Sequence, residues 1–277
     1  MKTRAIVICL ATAAALASAP DLRAQFLPEE IGQRGQWEDF LATADIIAQE
    51  QITGREAVTQ PWKLTLKKGD VVRNALWKNA EGRMAGYVEG WRFEVAAYRL
   101  DKLLELGRIP PTIERRFNEN RGSCQLWLEG CISLKQKDEQ KLRTPPVHLL
   151  GWNRSTYLQR AFDNLIANED RHMNQILISQ PDFRMLLIDH SRSFRTSKKF
   201  IQGLIYTAKH REGPKLMKEL PRAFVDGVKA LTAETIRAAV GDYLTDEEIA
   251  AVLARRDLIL AEVDRLIKEN GEGQVLY

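Results

Sequence analysis

The stretch Asn168-Glu169-Asp170-Arg171-His172-Met173-Asn174-Gln175-Ile176-Leu177-Ile178 runs on through Gln180-Pro181-Asp182 to Met185-Leu186-Leu187-Ile188-Asp189. Ile176–Ile178 and Met185–Ile188 are short apolar runs split by a Pro-Asp turn signal. That pattern predicts a β-hairpin. A polar loop leads into the hairpin and a carboxylate follows it. Strand pairing then returns Asp189 beside Asn174. Two acidic side chains and one amide converge at the end of one strand pair.

The periodicity on either side of this stretch sets the fold class. Upstream, Tyr157–Asn168 carries Leu158, Ala161, Phe162, Leu165 and Ile166 on one helical face. Downstream, the chain reads as helical from Leu204 onward. Asp226–Leu231, Ala233–Val240 and Glu247–Lys268 are separated by Thr232, Gly241 and the helix-start pair Thr245-Asp246. The first half reads differently. Trp37, Phe40, Leu41 and Ala44 share a helix face within residues 36–44. Ile46–Ile52, Trp62–Leu66 and Val71–Lys78 then read as strands, with Trp62, Leu64 and Leu66 alternating against Lys63, Thr65 and Lys67. Thr53-Gly54-Arg55-Glu56 and Lys67-Lys68-Gly69-Asp70 supply turns. A helix lies within Trp91–Leu106, stopped by Gly107 and kept from resuming by Pro110-Pro111. Gln125–Leu128 and Ile132–Leu134 read as short strands. Strands with helix, then helices with one hairpin, imply a two-lobed α+β fold. The expected lobes are residues 25–130 and 131–277, with a hinge near 124–133 and a ligand crevice between them.

The N-terminus is a separate object. Lys2 and Arg4 precede an uncharged apolar run, Ala5–Ala19, and Leu22-Arg23-Ala24 ends in a small residue. This reads as a signal peptide over residues 1–24. The run is shorter than the roughly 20 residues a spanning helix needs, so no stable membrane insertion is expected after cleavage. Export to a periplasm or the extracellular space follows. Of 277 residues, 44 % are apolar and 28 % charged, as in ordinary soluble domains. Cleavage removes Lys2, Arg4, Arg23 and Asp21, so the net charge falls from +4 to +2. Such a weak charge speaks against a nucleic-acid partner. Cys124 and Cys131 would remain. Both a disulfide in an oxidising compartment and two small free thiols fit the sequence.

Phosphoryl transfer needs an acidic group to orient the attacking hydroxyl and oxygen ligands to hold a hard divalent cation. A loop carboxylate, an amide and a carboxylate ending a paired strand supply that set. Asp170-Arg171-His172-x-Asn174 with Ile188-Asp189 resembles the catalytic core of atypical kinases. These include phosphatidylinositol kinases, HipA-like kinases and the secretory-pathway casein and xylosyl kinases related to four-jointed. Four further motifs are most similar to the secretory group: Glu94 to Leu104, Arg108-Ile109-Pro110-Pro111-Thr112, Gly122-Ser123-x-Gln125-Leu126-Trp127-Leu128-Glu129-Gly130, and Asp189-x-x-Arg192-x-Phe194. The resemblance spans residues 45–200.

It implies a two-lobed kinase fold and transfer of the γ-phosphoryl group of ATP to a protein or sugar hydroxyl. Asp170 would be the acid/base. Asn174 and Asp189 would hold Mg²⁺ or Mn²⁺. Lys78, paired with Glu94, would contact the phosphates. Gln125, Leu126, Trp127 and Leu128 would form the adenine-side hinge, with Arg171 and His172 bracing the catalytic loop. Two departures stand out. His190-Ser191 follows Asp189 where related kinases often carry glycine, and the turn after the first strand offers Gly54 but no G-x-G-x-x-G. An exported pseudokinase acting as a scaffold and a lipid-headgroup kinase are the alternative readings.

Overall fold

The computed structural model describes residues 27–54, 59–84, 86–180, 182–210 and 212–277. The expected signal peptide and Cys9 lie outside them. Two helices open the described chain, α1 (Pro28–Gly32) and α2 (Arg34–Thr43). Strands β1 (Asp45–Gln51), β2 (Trp62–Lys68), β3 (Val71–Lys78), β4 (Glu81–Met84) and β5 (Tyr87–Gly90) follow, then helix α3 (Trp91–Leu103). Next come β6 (Thr112–Phe117), β7 (Asn120–Leu126), β8 (Cys131–Ser133), α4 (Leu134–Glu139) and α5 (Leu149–Ile166). The hairpin β9 (Ile176–Ser179) and β10 (Met185–Leu187) precedes α6 (Lys198–Ile201), α7 (Arg222–Lys229), α8 (Ala233–Val240), α9 (Asp246–Asn270) and α10 (Glu272–Val275).

Five antiparallel strands form one sheet in the order β1-β2-β3-β7-β6. Leu64 and Leu66 of β2, Ala75 and Trp77 of β3, and Cys124 and Leu126 of β7 pack against Phe40 and Leu41 of α2. This is the period-two burial the alternation implied. A second sheet, β10-β9-β8, carries the hairpin, with Leu187 opposite Ile176 and Met185 opposite Ile178. The larger core joins α3, α5, β9, β10 and α7 to α9, so it crosses the 130/131 boundary through Phe93, Ala96, Ala97 and Leu100.

Several sequence expectations change. Residues 202–210 and 212–221 are irregular rather than helical, because Gly203, Gly213, Pro214 and Pro221 interrupt that part of the chain. The β4–β5 hairpin and strand β6 were not anticipated. Strand β7 ends at Leu126, so Trp127 and Leu128 lie beyond it. Cys124 and Cys131 sit in different sheets and are both free thiols. Burial pushes the Cys124 thiol up to about 12.

At Gly122 the backbone of β7 runs close against β3. A Cβ there would lie 2.6 Å from the Trp77 ring and closer still to the Lys78 carbonyl. Both neighbours are fixed in the sheet, so Gly122→Ala is expected to destabilise the chain by about 1–3 kcal/mol through overpacking. Chemical denaturation measures this, and an unchanged midpoint would refute the close approach.

Candidate active site

Strand alternation turns Trp77 into the sheet core and leaves Leu76 and Lys78 on the opposite face. Lys78 and Glu94 are both buried. Lys78 Nζ donates to Glu94 Oε1 at 2.8 Å and to Asp189 Oδ1 at 2.8 Å. Glu94 stands in the first turn of α3, where the helix N-terminus favours a carboxylate. Its second oxygen accepts the His190 backbone N–H at 2.9 Å. Glu94 therefore ties strand β3 to the chain just after Asp189. Asp189 itself has φ +60°, a left-handed turn that a short polar side chain tolerates.

Burial alone would push the Lys78 ammonium toward neutrality. Asp189 and Glu94 outweigh it and hold its pKa above the ordinary lysine value. Burial would likewise raise both carboxylates, but the Lys78 charge brings Asp189 and Glu94 below their ordinary values. His190 is fully buried, and burial followed by the nearby Arg171 charge lowers its pKa, keeping the ring neutral.

Helix α5 ends in a left-handed Ala167 (φ +49°), and the loop carrying Asp170 follows. Arg171 braces that loop. Its Nε and Nη2 form a fork on Asp163 at 2.9 and 3.0 Å, and its Nη1 reaches the carbonyls of Gln175 and Ile188. His172 Nδ1 accepts the Asn174 backbone N–H at 3.3 Å.

The amide between the carboxylates is not the expected one. Gln175 Nε2 donates to Asp170 Oδ2 at 3.3 Å and to Asp189 Oδ2 at 3.2 Å. Residues Met173–Gln175 form a single 3₁₀ turn that leads into β9, and this turn sets the Gln175 amide between the two carboxylates. The signal was present in the spacing. In protein kinases the metal-binding amide follows the catalytic-loop Asp by five positions, and Gln175 is five after Asp170.

A cleft of about 420 Å³ is lined by Ile52, Pro61, Leu76, Trp127 and Ile188 together with Lys78 and Asp189. Of the four expected hinge residues, Trp127 lines it. The Gln125 amide instead donates to Thr112 Oγ1 at 2.8 Å, and Leu126 packs in the sheet core. Strand alternation and the β6 neighbour commit those two side chains elsewhere. Leu128 is half-buried outside the cleft lining. Asp170 adjoins the cleft through the shared Gln175 amide. Arg192, quoted in a motif but given no role, places Nη1 3.1 Å from Asp170 Oδ1.

Among the described residues no three His, Cys, Asp or Glu side chains cluster as a metal cage. Asp170, Asp189 and the Gln175 amide are a smaller set of hard oxygen-bearing groups. Such a set fits Mg²⁺ or Mn²⁺ shared with phosphates and water rather than zinc. Among the described residues no helix is long and apolar enough to cross a membrane.

No family model and no curated protein matches the chain. Solved structures do. A hydra Fam20 protein, solved with sugar, is similar at TM-score 0.67 and 15 % identity, over 93 % of this chain and 95 % of that one. The Golgi casein kinase is similar at TM-score 0.62 and 15 % identity, over 88 % and 79 %. The same kinase with Mn/ADP bound gives 0.63 and 15 %, over 89 % and 79 %. The fold is thus the α+β kinase-like fold that these structures share.

The shared ammonium yields a pH-resolved expectation. Lys78→Met leaves Glu94 buried without its cation and should cost about 3–5 kcal/mol at pH 7. In the wild type both carboxylates titrate below their ordinary values of 4.5 and 3.8. Their stabilisation is therefore complete above about pH 5 and drains as the pH falls below about 4. In the variant burial dominates and protonation relieves the penalty. Denaturation at pH 7 and pH 3.5 should show the gap narrowing, and an equal gap at both would contradict the pairing.

Proposed function

We propose that this chain is an exported ATP-dependent phosphotransferase that moves a γ-phosphoryl group to a hydroxyl. The observation that carries this is one unbroken line of contacts. It runs from Glu94 to Lys78, to Asp189, to the Gln175 amide, and ends at Asp170. It joins a cleft of about 420 Å³ to a carboxylate at the cleft's edge.

Each residue has a task in this reading. Trp127, Leu76 and Ile188 cover the faces of the base. An ammonium has three N–H donors. Glu94 and Asp189 take two from Lys78, which leaves one for a phosphate oxygen. Asp189 and Gln175 hold the divalent ion, the amide turning over to present its oxygen. Mg²⁺ or Mn²⁺, when bound, offsets charge on the phosphate oxygens. Asp170 orients the acceptor hydroxyl and takes its proton as the O–P bond forms and ADP leaves. Positioning and electrostatics carry nearly all of such a reaction.

The acceptor hydroxyl belongs to a protein Ser/Thr side chain or to a sugar. Among the solved neighbours one is a casein kinase and another was solved with sugar, which leaves both acceptor classes open. A pseudokinase is the second reading, favoured by the lack of a glycine-rich loop around Gly54. Neither a nucleic-acid partner nor a lipid-headgroup acceptor draws support from a mature charge of +2.

Calorimetric titration of ATP with Mg²⁺ or Mn²⁺ separates these readings. The wild type should bind nucleotide only with metal, and Asp189→Ala should abolish binding. Asp170→Asn should bind normally yet lose about 100-fold or more of the transfer rate, the scale of general-base catalysis. Metal-independent binding would remove Asp189 from its role. Wild-type binding without transfer to protein or sugar acceptors would favour the pseudokinase.

A further inference from the structure

Arg192 joins three groups that the reaction scheme leaves separate. Its Nη1 lies 3.1 Å from Asp170 Oδ1, and its Nε lies 2.5 Å from Glu89 Oε1 on strand β5. Its guanidinium stacks 4.3 Å from the Tyr87 ring centroid. A guanidinium is a planar fork with five donors, so one side chain can span two carboxylates at fixed angles. Lysine cannot reproduce that geometry.

Glu89 is the unusual member. Its side chain is 1 % exposed, and its Oε2 is buried without a hydrogen-bond partner among the described residues. A buried carboxylate is costly, and a well-packed apolar residue often replaces a buried ion pair without loss of stability. Stability therefore does not explain why a carboxylate stands there. Orientation of Arg192 does.

The rest of the hairpin is anchored to the same region. Gly90 N–H donates to the Ser191 carbonyl at 2.9 Å. Arg195 Nη1 donates to the Val88 carbonyl at 2.9 Å, and its Nε reaches Glu169, the residue before Asp170, at 2.7 Å. With Gln175 on Oδ2 and Arg192 on Oδ1, both oxygens of Asp170 are held.

We propose that Arg192 is a positioning residue for Asp170, itself aimed by Glu89, so that the β4–β5 hairpin sets the geometry of the base. The inference rests on the phosphotransferase reading, in which Asp170 contacts the acceptor hydroxyl. Reaction rates fall steeply with small misplacements of such a group. Losing Arg192 frees Asp170 to rotate while the cleft residues Lys78, Trp127 and Asp189 keep their places.

The test uses the full chain, [γ-³²P]ATP with Mn²⁺, and two readouts: autophosphorylation and ATP hydrolysis with water as acceptor. Arg192→Ala is expected to lower kcat about 10- to 100-fold while the KM for ATP stays within about twofold. Added guanidinium ion at tens of millimolar should restore kcat severalfold in Arg192→Ala and not in Asp170→Asn. Arg192→Lys should remain impaired. Glu89→Gln keeps the side-chain shape and should show the same kcat-only loss, which preserves the test if Arg192→Ala does not fold. Wild-type kcat in Arg192→Ala or Glu89→Gln, or a loss shared equally by ATP binding and without rescue, would overturn the proposal. An inactive wild type would instead sink the phosphotransferase reading.

Discussion

The ammonium of Lys78 is buried, and a buried charge has to be met by opposite charge. Glu94 and Asp189 meet it from α3 and from the turn after β10. Three elements distant in sequence must therefore converge within hydrogen-bonding distance of one nitrogen. An apolar cluster would hold them together at no greater cost, since desolvating ions consumes most of what their attraction returns. What the ion cluster adds is direction. It specifies the orientation of each carboxylate, which apolar packing leaves loose.

A second buried charge does the same for the loop. Arg171 is held by the fork of Asp163 on α5 and caps two carbonyls at the open end of the hairpin, Gln175 just before β9 and Ile188 just after β10. One side chain thereby fixes the end of α5, the loop and both strand ends. The left-handed residues Ala167 and Asp189 lie at the two corners of this frame, where the chain reverses out of a helix and out of a strand. Strain of that kind persists only where the surroundings over-determine it. Here the His190 N–H bond to Glu94 and the Arg171 contacts provide that constraint.

Much of this was legible before any coordinates. The β9–β10 hairpin, the buried Leu64 and Leu66, and helices α3, α5, α8 and α9 follow from apolar spacing, because one face of each is buried. What escaped notice is stabilised by contacts that leave no periodic trace. Strand β6 reads as a charged stretch, Glu114-Arg115-Arg116, yet Arg115 turns inward to the carbonyls of Leu41 and Ala44 at the end of α2. The β4–β5 hairpin is short and polar, and arginines from the far segment tie it down. Gln175 was passed over because its neighbour Asn174 also carries an amide, and apolar spacing does not mark Gln175 as buried. Arg192 carried no role in the sequence because its partners, Glu89 and Asp170, are 103 and 22 positions away.

The pairing of Lys78 with Glu94 also depends on where α3 is anchored. Arg92, two residues before Glu94, makes a fork on Glu248 at 2.7 Å through each nitrogen and donates to the Tyr243 carbonyl at 2.9 Å. Two turns further on, Arg99 stacks on the Tyr243 ring, and α3 packs along α8. Its apolar face lies in the core of the helical half. A helix bound on three sides cannot swing without breaking a bidentate ion pair and exposing core. The contacts that anchor α3 thus also place Glu94 against Lys78.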